Sequence, residues 1–337
     1  MNEASTKSVS RAFSGRALTN RIMGEAGIGI VLVLLILFFA VLAPNFASRA
    51  NLSNIATEIT INTILAVGMT FVILIGGIDL SVGSVLALCA VVAGPILVND
   101  SMSATVAIML AVLAAVLTGL AVGLINGLIT ETWKIPAFIV TLGMLYIARG
   151  AALEKTQAQT IYQFPASFTD FGRATVLGVP AVFLVALALV ILGQFVLSKT
   201  VFGRLLLAIG NNEETVRLAG HRTKAIKVAA FAIAGACVGI GAIIYMARLN
   251  IASPIVGTGY ELTAIAAVIL GGTSLFGGKG SLIGTLLGAS LLGVLTNGLL
   301  LIGVSDFQRQ MMTGAVIIVA VVVDAYRQRF SRRMAME

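Results

Sequence analysis

Eight stretches of this chain, residues 26–48, 59–78, 80–99, 101–130, 174–198, 228–247, 262–278 and 280–305, contain no Asp, Glu, Lys or Arg. About 20 apolar residues let a helix cross a ~30 Å hydrocarbon core. Backbone in lipid has no water to bond, so among open-ended structures only a helix can span. The runs are continuous rather than alternating, which excludes a membrane β-barrel. A soluble helical protein would carry charges on its outer faces, and these segments have none. The chain reads as an all-α integral membrane protein. Its charged fraction of 11% agrees, since a soluble domain carries roughly 25%.

Two shorter runs, 135–148 and 310–323, bring the expected count to ten spans if the flanking Arg149 and Arg309 snorkel to the surface. If both are re-entrant, the count is eight. With both termini cytoplasmic, all of the 22 lysines and arginines except Arg49, Arg149, Lys155, Arg173, Arg248 and Arg309 fall on the cytoplasmic side, as the positive-inside rule requires. The chain then divides into a cytoplasmic tail over 1–25, a transmembrane domain over 26–325 with a cytoplasmic loop at 199–227, and a basic tail over 326–337. The first span exceeds a signal-peptide core and lacks a small-residue cleavage site, so it reads as a retained helix. Basic residues gather at membrane edges rather than on one face with aromatics, which argues against nucleic acid as a partner. Lipid is the expected surrounding, and Cys89 and Cys237 read as buried, inert thiols.

Absences narrow the chemistry. The only histidine, His221, sits in a basic loop, leaving no material for a metal site or a nucleophile–base pair. The chain is therefore not expected to be an enzyme. Glu58 is the only strictly intramembrane acid in this reading, and it suits an outer interfacial position better than a proton relay. Few intramembrane acids, and no paired broken helices with charged sites, argue against a stand-alone secondary carrier. The stretch Gly271-Gly272-Thr273-Ser274-Leu275-Phe276-Gly277-Gly278-Lys279-Gly280-Ser281 superficially suggests a phosphate loop. Thr273 stands where that loop needs its first glycine, and Gly280 where it needs Ser or Thr. It reads as a turn between spans, and no ATP or other cofactor is expected on this chain. Energy must then come from a partner.

The loop at 199–227 is suited to meet one. Within Gly210–Gly220, Asn211 or Asn212 can cap a short helix, Glu213 and Glu214 sit in its first turn where the dipole favours them, and Gly220 ends it. Val216, Leu218 and Ala219 are its apolar contributions.

The run Thr200-Val201-Phe202-Gly203-Arg204-Leu205-Leu206-Leu207-Ala208-Ile209-Gly210-Asn211-Asn212, continuing to Ala219-Gly220, resembles the cytoplasmic loop of ATP-binding-cassette permeases for monosaccharides, nearest to the ribose permease group. Three further stretches are similar to the same family: Gly76-Gly77-Ile78-Asp79-Leu80-Ser81-Val82-Gly83-Ser84; Asn126-Gly127 with Ile135-Pro136-Ala137-Phe138-Ile139-Val140-Thr141-Leu142-Gly143-Met144; and Ala266 through Gly280. Together they cover about residues 50–325 in order. The resemblance implies a coupling segment around Gly203, Arg204, Gly210, Asn212, Glu213, Glu214, Ala219 and Gly220 that contacts the ATPase. It also implies signature turns at Gly76, Gly77, Asp79, Ser81, Gly83, Gly271, Gly272, Gly277 and Gly278. The implied partners are an ATPase subunit, which binds the ATP, an external sugar-binding protein, and a second permease chain, identical or sister, in a bacterial inner membrane. Permeases of the same superfamily for an autoinducer, a nucleoside or a branched-chain amino acid would share these features.

Gly76-Gly77-x-x-Leu80-x-x-Gly83 and Gly271-Gly272-x-x-Leu275-x-x-Gly278 also echo each other, which suggests an internal repeat. Asp79 precedes an apolar helix and is placed to cap it, with Ser81 assisting. Asn62, Thr63, Asn126, Thr141, Thr296 and Asn297 are polar residues within apolar spans. Each alone is suited to bonding a neighbouring helix; as a set they are the candidates for lining a path for a neutral solute.

Overall fold

The computed structural model describes residues 26–334, so the expected N-terminal tail and the last three residues lie outside the described residues. The chain order is α1 (Ala26–Leu42), α2 (Arg49–Leu74), α3 (Val82–Leu97), α4 (Ala104–Trp133), α5 (Ala137–Thr156), β1 (Ile161–Tyr162), α6 (Ala166–Arg173), β2 (Thr175–Val176), β3 (Val179–Pro180), α7 (Ala181–Lys199), α8 (Val201–Asn211), α9 (Glu213–Leu218), α10 (Thr223–Leu249), β4 (Ile251–Ala252), α11 (Tyr260–Leu270), α12 (Leu282–Leu301) and α13 (Asp306–Met334). Every segment expected to span overlaps one of these helices. α2, α4, α5, α7, α10 and α12 are long and apolar enough to cross a membrane. The helix α13 takes in most of the expected C-terminal tail.

Serine chemistry starts several of the long helices. Ser48 caps α2 by accepting the Asn51 amide at 3.2 Å, and Ser281 caps α12 by accepting the Gly284 amide at 3.3 Å. α2, α10 and α12 are mostly buried, while α4, α5 and α7 surround them with much of their surface outward. α4 meets α10 at Gly119, Gly123 and Gly127, where any Cβ would strike the backbone of Gly235, Phe231 or Val228. Small residues at four-residue spacing bring two helix backbones together, the usual way to gain packing where lipid removes the hydrophobic drive. α2 and α12 are tied by polar pairs instead: Thr70 and Thr285 hydroxyls lie 2.8 Å apart, and Asn51 and Asn297 exchange amide bonds of 2.9 and 3.1 Å.

The run 262–278 is not one helix. α11 stops at Leu270, where the Gly272 amide bonds Ile269 O at 2.8 Å and the Thr273 amide bonds Val268 O at 3.2 Å. Eleven residues rise only ~16 Å, about half a hydrocarbon core. The same closure ends α2, with the Gly76 amide on Ile73 O at 2.8 Å and the Gly77 amide on Val72 O at 3.0 Å. Gly76 and Gly272 both have positive φ, 75° and 81°. The structural echo thus pairs Gly76 with Gly272, one residue off the register read from the sequence; beyond it the spacing diverges, the next helix following Ser81 in one case and Ser281 in the other.

Candidate functional site

α8 and α9 form a bent pair of short helices at one end of the helix bundle, the α8 end. Thr200 caps α8, accepting the Gly203 amide at 3.2 Å. Gly203, Leu206 and Ile209 are buried and hold α8 down, whereas Arg204 faces out. At the far end of α8 the missing side chain of Gly210 admits the Leu74 carbonyl and the Gly278 amide, which any Cβ would strike. Asn211 Nδ2 donates to Gly278 O at 3.1 Å, and the Gly278 amide donates to Leu74 O at 2.9 Å. The glycine turn after α11 is therefore fastened to α2 and α8 rather than hanging as a simple connection. Asn211, weighed in the sequence only as a cap, is a tie to that turn.

α9 follows at once. Asn212 caps it, accepting the Thr215 amide at 3.0 Å, and Gly220 leaves it with φ of 86°. Val216 is its only buried residue; Leu218 is 76% exposed, and Ala219 and Gly220 are exposed beside it. Glu214 takes two bonds from Arg217, at 2.7 and 3.0 Å, which hold its carboxyl below the usual value. Burial pushes Glu213 up, but bonds from Lys227 and Thr223 and the charges of Lys227 and Lys134 outweigh it, so its carboxyl also titrates low.

Lys227 is the hub of a network that no sequence motif announces. Its Nζ lies 3.0 Å from Glu213 on α9 and 2.6 Å from Glu131 on α4. Lys134 reaches the other oxygen of Glu131 at 3.1 Å. The Glu131 side chain is 1% exposed, so the pair is buried at one end and solvated at the other. A cavity of about 240 Å³ lies beside it, lined by Gly76, Gly77, Thr130, Glu131, Lys134 and Lys227 among others. The spacing of Glu131 and Lys134 marks an ordinary surface pair, and only the fold brings in Lys227.

In the signature turn at 76–81, Gly77, Asp79 and Ser81 are buried. Asp79 accepts from the Ser81 amide at 2.8 Å and the Ser81 hydroxyl at 2.6 Å, closing the turn before α3 rather than bonding the amides of α3 itself. Asn126 donates to Ser81 Oγ at 3.1 Å. Thr141 accepts from the Leu80 amide at 3.1 Å and lies 3.1 Å from Ile78 O. Of the six lining candidates, then, Asn126 and Thr141 tie α4 and α5 to this turn, and Asn297 ties α12 to α2. Thr296 bonds its own helix at Leu292 O, 2.9 Å away, Thr63 is fully buried, and Asn62 is half-buried. None of the six is exposed on the chain. Gly271 packs against Gly284 of α12, and Gly277 against Gly76 and Gly210.

One expectation from charge is overturned. α5 does not end at 148 but continues to Thr156. Arg149 therefore lies within a spanning helix, half-buried, instead of snorkelling past its end.

A family model described as branched-chain amino acid transport system / permease component matches residues 51–321. The ribose import permease protein of Escherichia coli strain K12 is 42% identical over 306 residues, covering 89% of this chain and 93% of the relative. That of Bacillus subtilis strain 168 is 42% identical over 307 residues, 90% and 93% of the two chains. The L-arabinose transport system permease protein of Escherichia coli strain K12 is 35% identical over 312 residues, 93% and 94%. No solved structure matches the chain.

Proposed function

The chain belongs to the branched-chain amino acid transport system permease-component family, and we propose that it forms the translocation path of an ATP-binding-cassette importer for a monosaccharide. Ribose or a similar pentose or hexose is the cargo this reading favours, because the relatives that cover nine-tenths of the chain are ribose and arabinose permeases. The protein is a multi-pass component of a bacterial inner membrane.

The observation that carries the coupling role is the α8–α9 pair, acting as a lever. It lies inside the family match, shows Leu218 to the outside, and is fixed to the bundle at Gly210–Asn211 and through Glu213–Lys227–Glu131. In this reading the α8 end is cytoplasmic, and α9 docks in a groove of the partner ATPase. Closure of the ATPase on ATP pushes α9, and the two attachments pass the push to α2 and the α11–α12 turn on one side and to α4 and α10 on the other. The chain itself holds no nucleotide. A binding protein delivers the sugar at the opposite end, and a second permease chain completes the path.

The test is co-purification from membranes in which the ATPase and binding protein are co-expressed with the tagged chain. The ATPase should be retained, and sugar-loaded binding protein should stimulate its hydrolysis. An ATPase that neither binds nor responds contradicts the reading.

A further inference from the structure

The two short helices α3 and α11 meet first turn to first turn. Gly83 of α3 lies so close to Gly257 that any Cβ on it would strike the Gly257 carbonyl and come within 2.6 Å of Glu261 Oε2. A Cβ on Gly257 would in turn approach the carbonyl carbon of Gly83 at 3.1 Å. Between β4 and α11 the chain runs without helix from Ser253 to Gly259. Arg149 holds that segment in place, donating to Pro254 O at 2.6 Å and Val256 O at 2.9 Å.

The depth of this junction follows from helix lengths. Arg149 lies twelve residues into α5, ~18 Å along its axis, in a core about 30 Å thick. From the junction α11 needs its full ~16 Å to reach the glycine turn at the α8 end. Both measures put the junction near the middle of the bundle. Non-helical backbone at such depth is tolerated only when buried in protein or when it lines a water-filled cavity. Yet Ile255 is 66% and Leu262 58% exposed, and Thr258 is exposed between them. Tyr146, one turn from Arg149 on α5, is 71% exposed. Glu261 accepts the Gly259 amide at 3.2 Å with one carboxyl oxygen and turns the other toward Gly83. Lipid does not accept this combination of charge and non-helical backbone.

We propose that Tyr146, Arg149, Ile255, Thr258, Glu261 and Leu262 line the midpoint of the translocation path. The inference rests on the permease reading and says where its path runs. Arg149 is already occupied by carbonyls, so the face offers a neutral solute hydroxyl partners, the Glu261 carboxylate and the Thr258 hydroxyl. Of the two short helices only α11 brings a charge, Glu261, and Arg149 comes from the continuous helix α5; in the sequence both stood at the edges of uncharged runs. Family membership separates this chain from a secondary carrier.

Cysteine accessibility tests the face. Thr258→Cys and Leu262→Cys would be made singly, in the assembled complex in membranes, and exposed to a permanently charged thiosulfonate reagent. Cys89 and Cys237 are buried, and the parent chain measures their background. Leu113→Cys is the control: Leu113 is 53% exposed on the outer side of α4, ~14 Å from its start. A charge reaching mid-membrane through lipid is penalised enough that labelling at the path should run roughly 100-fold faster than at the control, and saturating ribose should slow it. Labelling of both cysteines at the control rate overturns the proposal, and if one variant fails to assemble the other decides. A complex that imports sugar with both cysteines unlabelled keeps the permease reading and removes this face. Fast labelling in a chain that moves no sugar keeps the face and removes the cargo.

Discussion

Glu213 is the residue on which the lever's attachment titrates. Its carboxyl is held below the ordinary 4.5, so it favours the attached state at any pH above that value and loses this contribution as pH falls through the lower, folded value. Hydrogen exchange across α9 should therefore be flat with pH, once corrected for intrinsic rates, down to about the ordinary carboxylate value, and rise below it. A rise already between neutrality and that value would contradict the Lys227 bond. Lys227→Met leaves Glu131 buried without its closest cation. Breaking one side of a buried pair costs about 3–5 kcal/mol, and thermal unfolding in detergent should show it. Lys227→Met with Glu131→Gln together should recover most of that loss, since no charge is then stranded. Gly210→Leu has nowhere to put its side chain beside Leu74 O and Gly278. Overpacking of this kind costs roughly 1–3 kcal/mol; the chain should still insert, with coupled uptake lost.

The elements show what a sequence can and cannot disclose. Long uncharged runs gave away α2, α4, α7, α10 and α12, because lipid forbids charges along a spanning helix. The caps of α9 were equally legible: Asn212 and Gly220 act through their own backbone, and no distant partner is needed. The end of α11 was legible as well, because the glycine-rich stretch from Gly271 reads as a turn between spans and the helix stops at Leu270; that this leaves a helix of only half a span showed only in the fold. Arg149 was misplaced: a charge next to an apolar run looks like its end, and only the carbonyls of Pro254 and Val256 reveal that it is held inside. The polar residues Asn126, Thr141 and Asn297 were visible as unusual, but their use in tying elements depends on contacts far apart in sequence. At this scale the prediction concerns α9. Leu218 is exposed and touches little of the chain itself, so Leu218→Asp should change stability by no more than ~0.5 kcal/mol. It should nevertheless abolish retention of the ATPase in a pull-down. Retention at the level of the parent chain would show that α9 is not the docking helix.

For the whole molecule, the arrangement separates two jobs. In the proposed reading one end carries a lever fixed at two points, and the middle carries a break in the helices, between β4 and α11, held by Arg149. Between them run α2, α10 and α12, the most buried of the six membrane-length helices. A partner-driven permease needs all three parts, whereas a carrier powered by an ion gradient has no use for the lever. The direct measurement is uptake of labelled ribose into proteoliposomes holding this chain, with the ATPase and the binding protein added separately and together. Accumulation that requires both partners and ATP, and that ignores a collapsed ion gradient, is the predicted result. Accumulation by the chain alone that vanishes with the gradient would contradict the account.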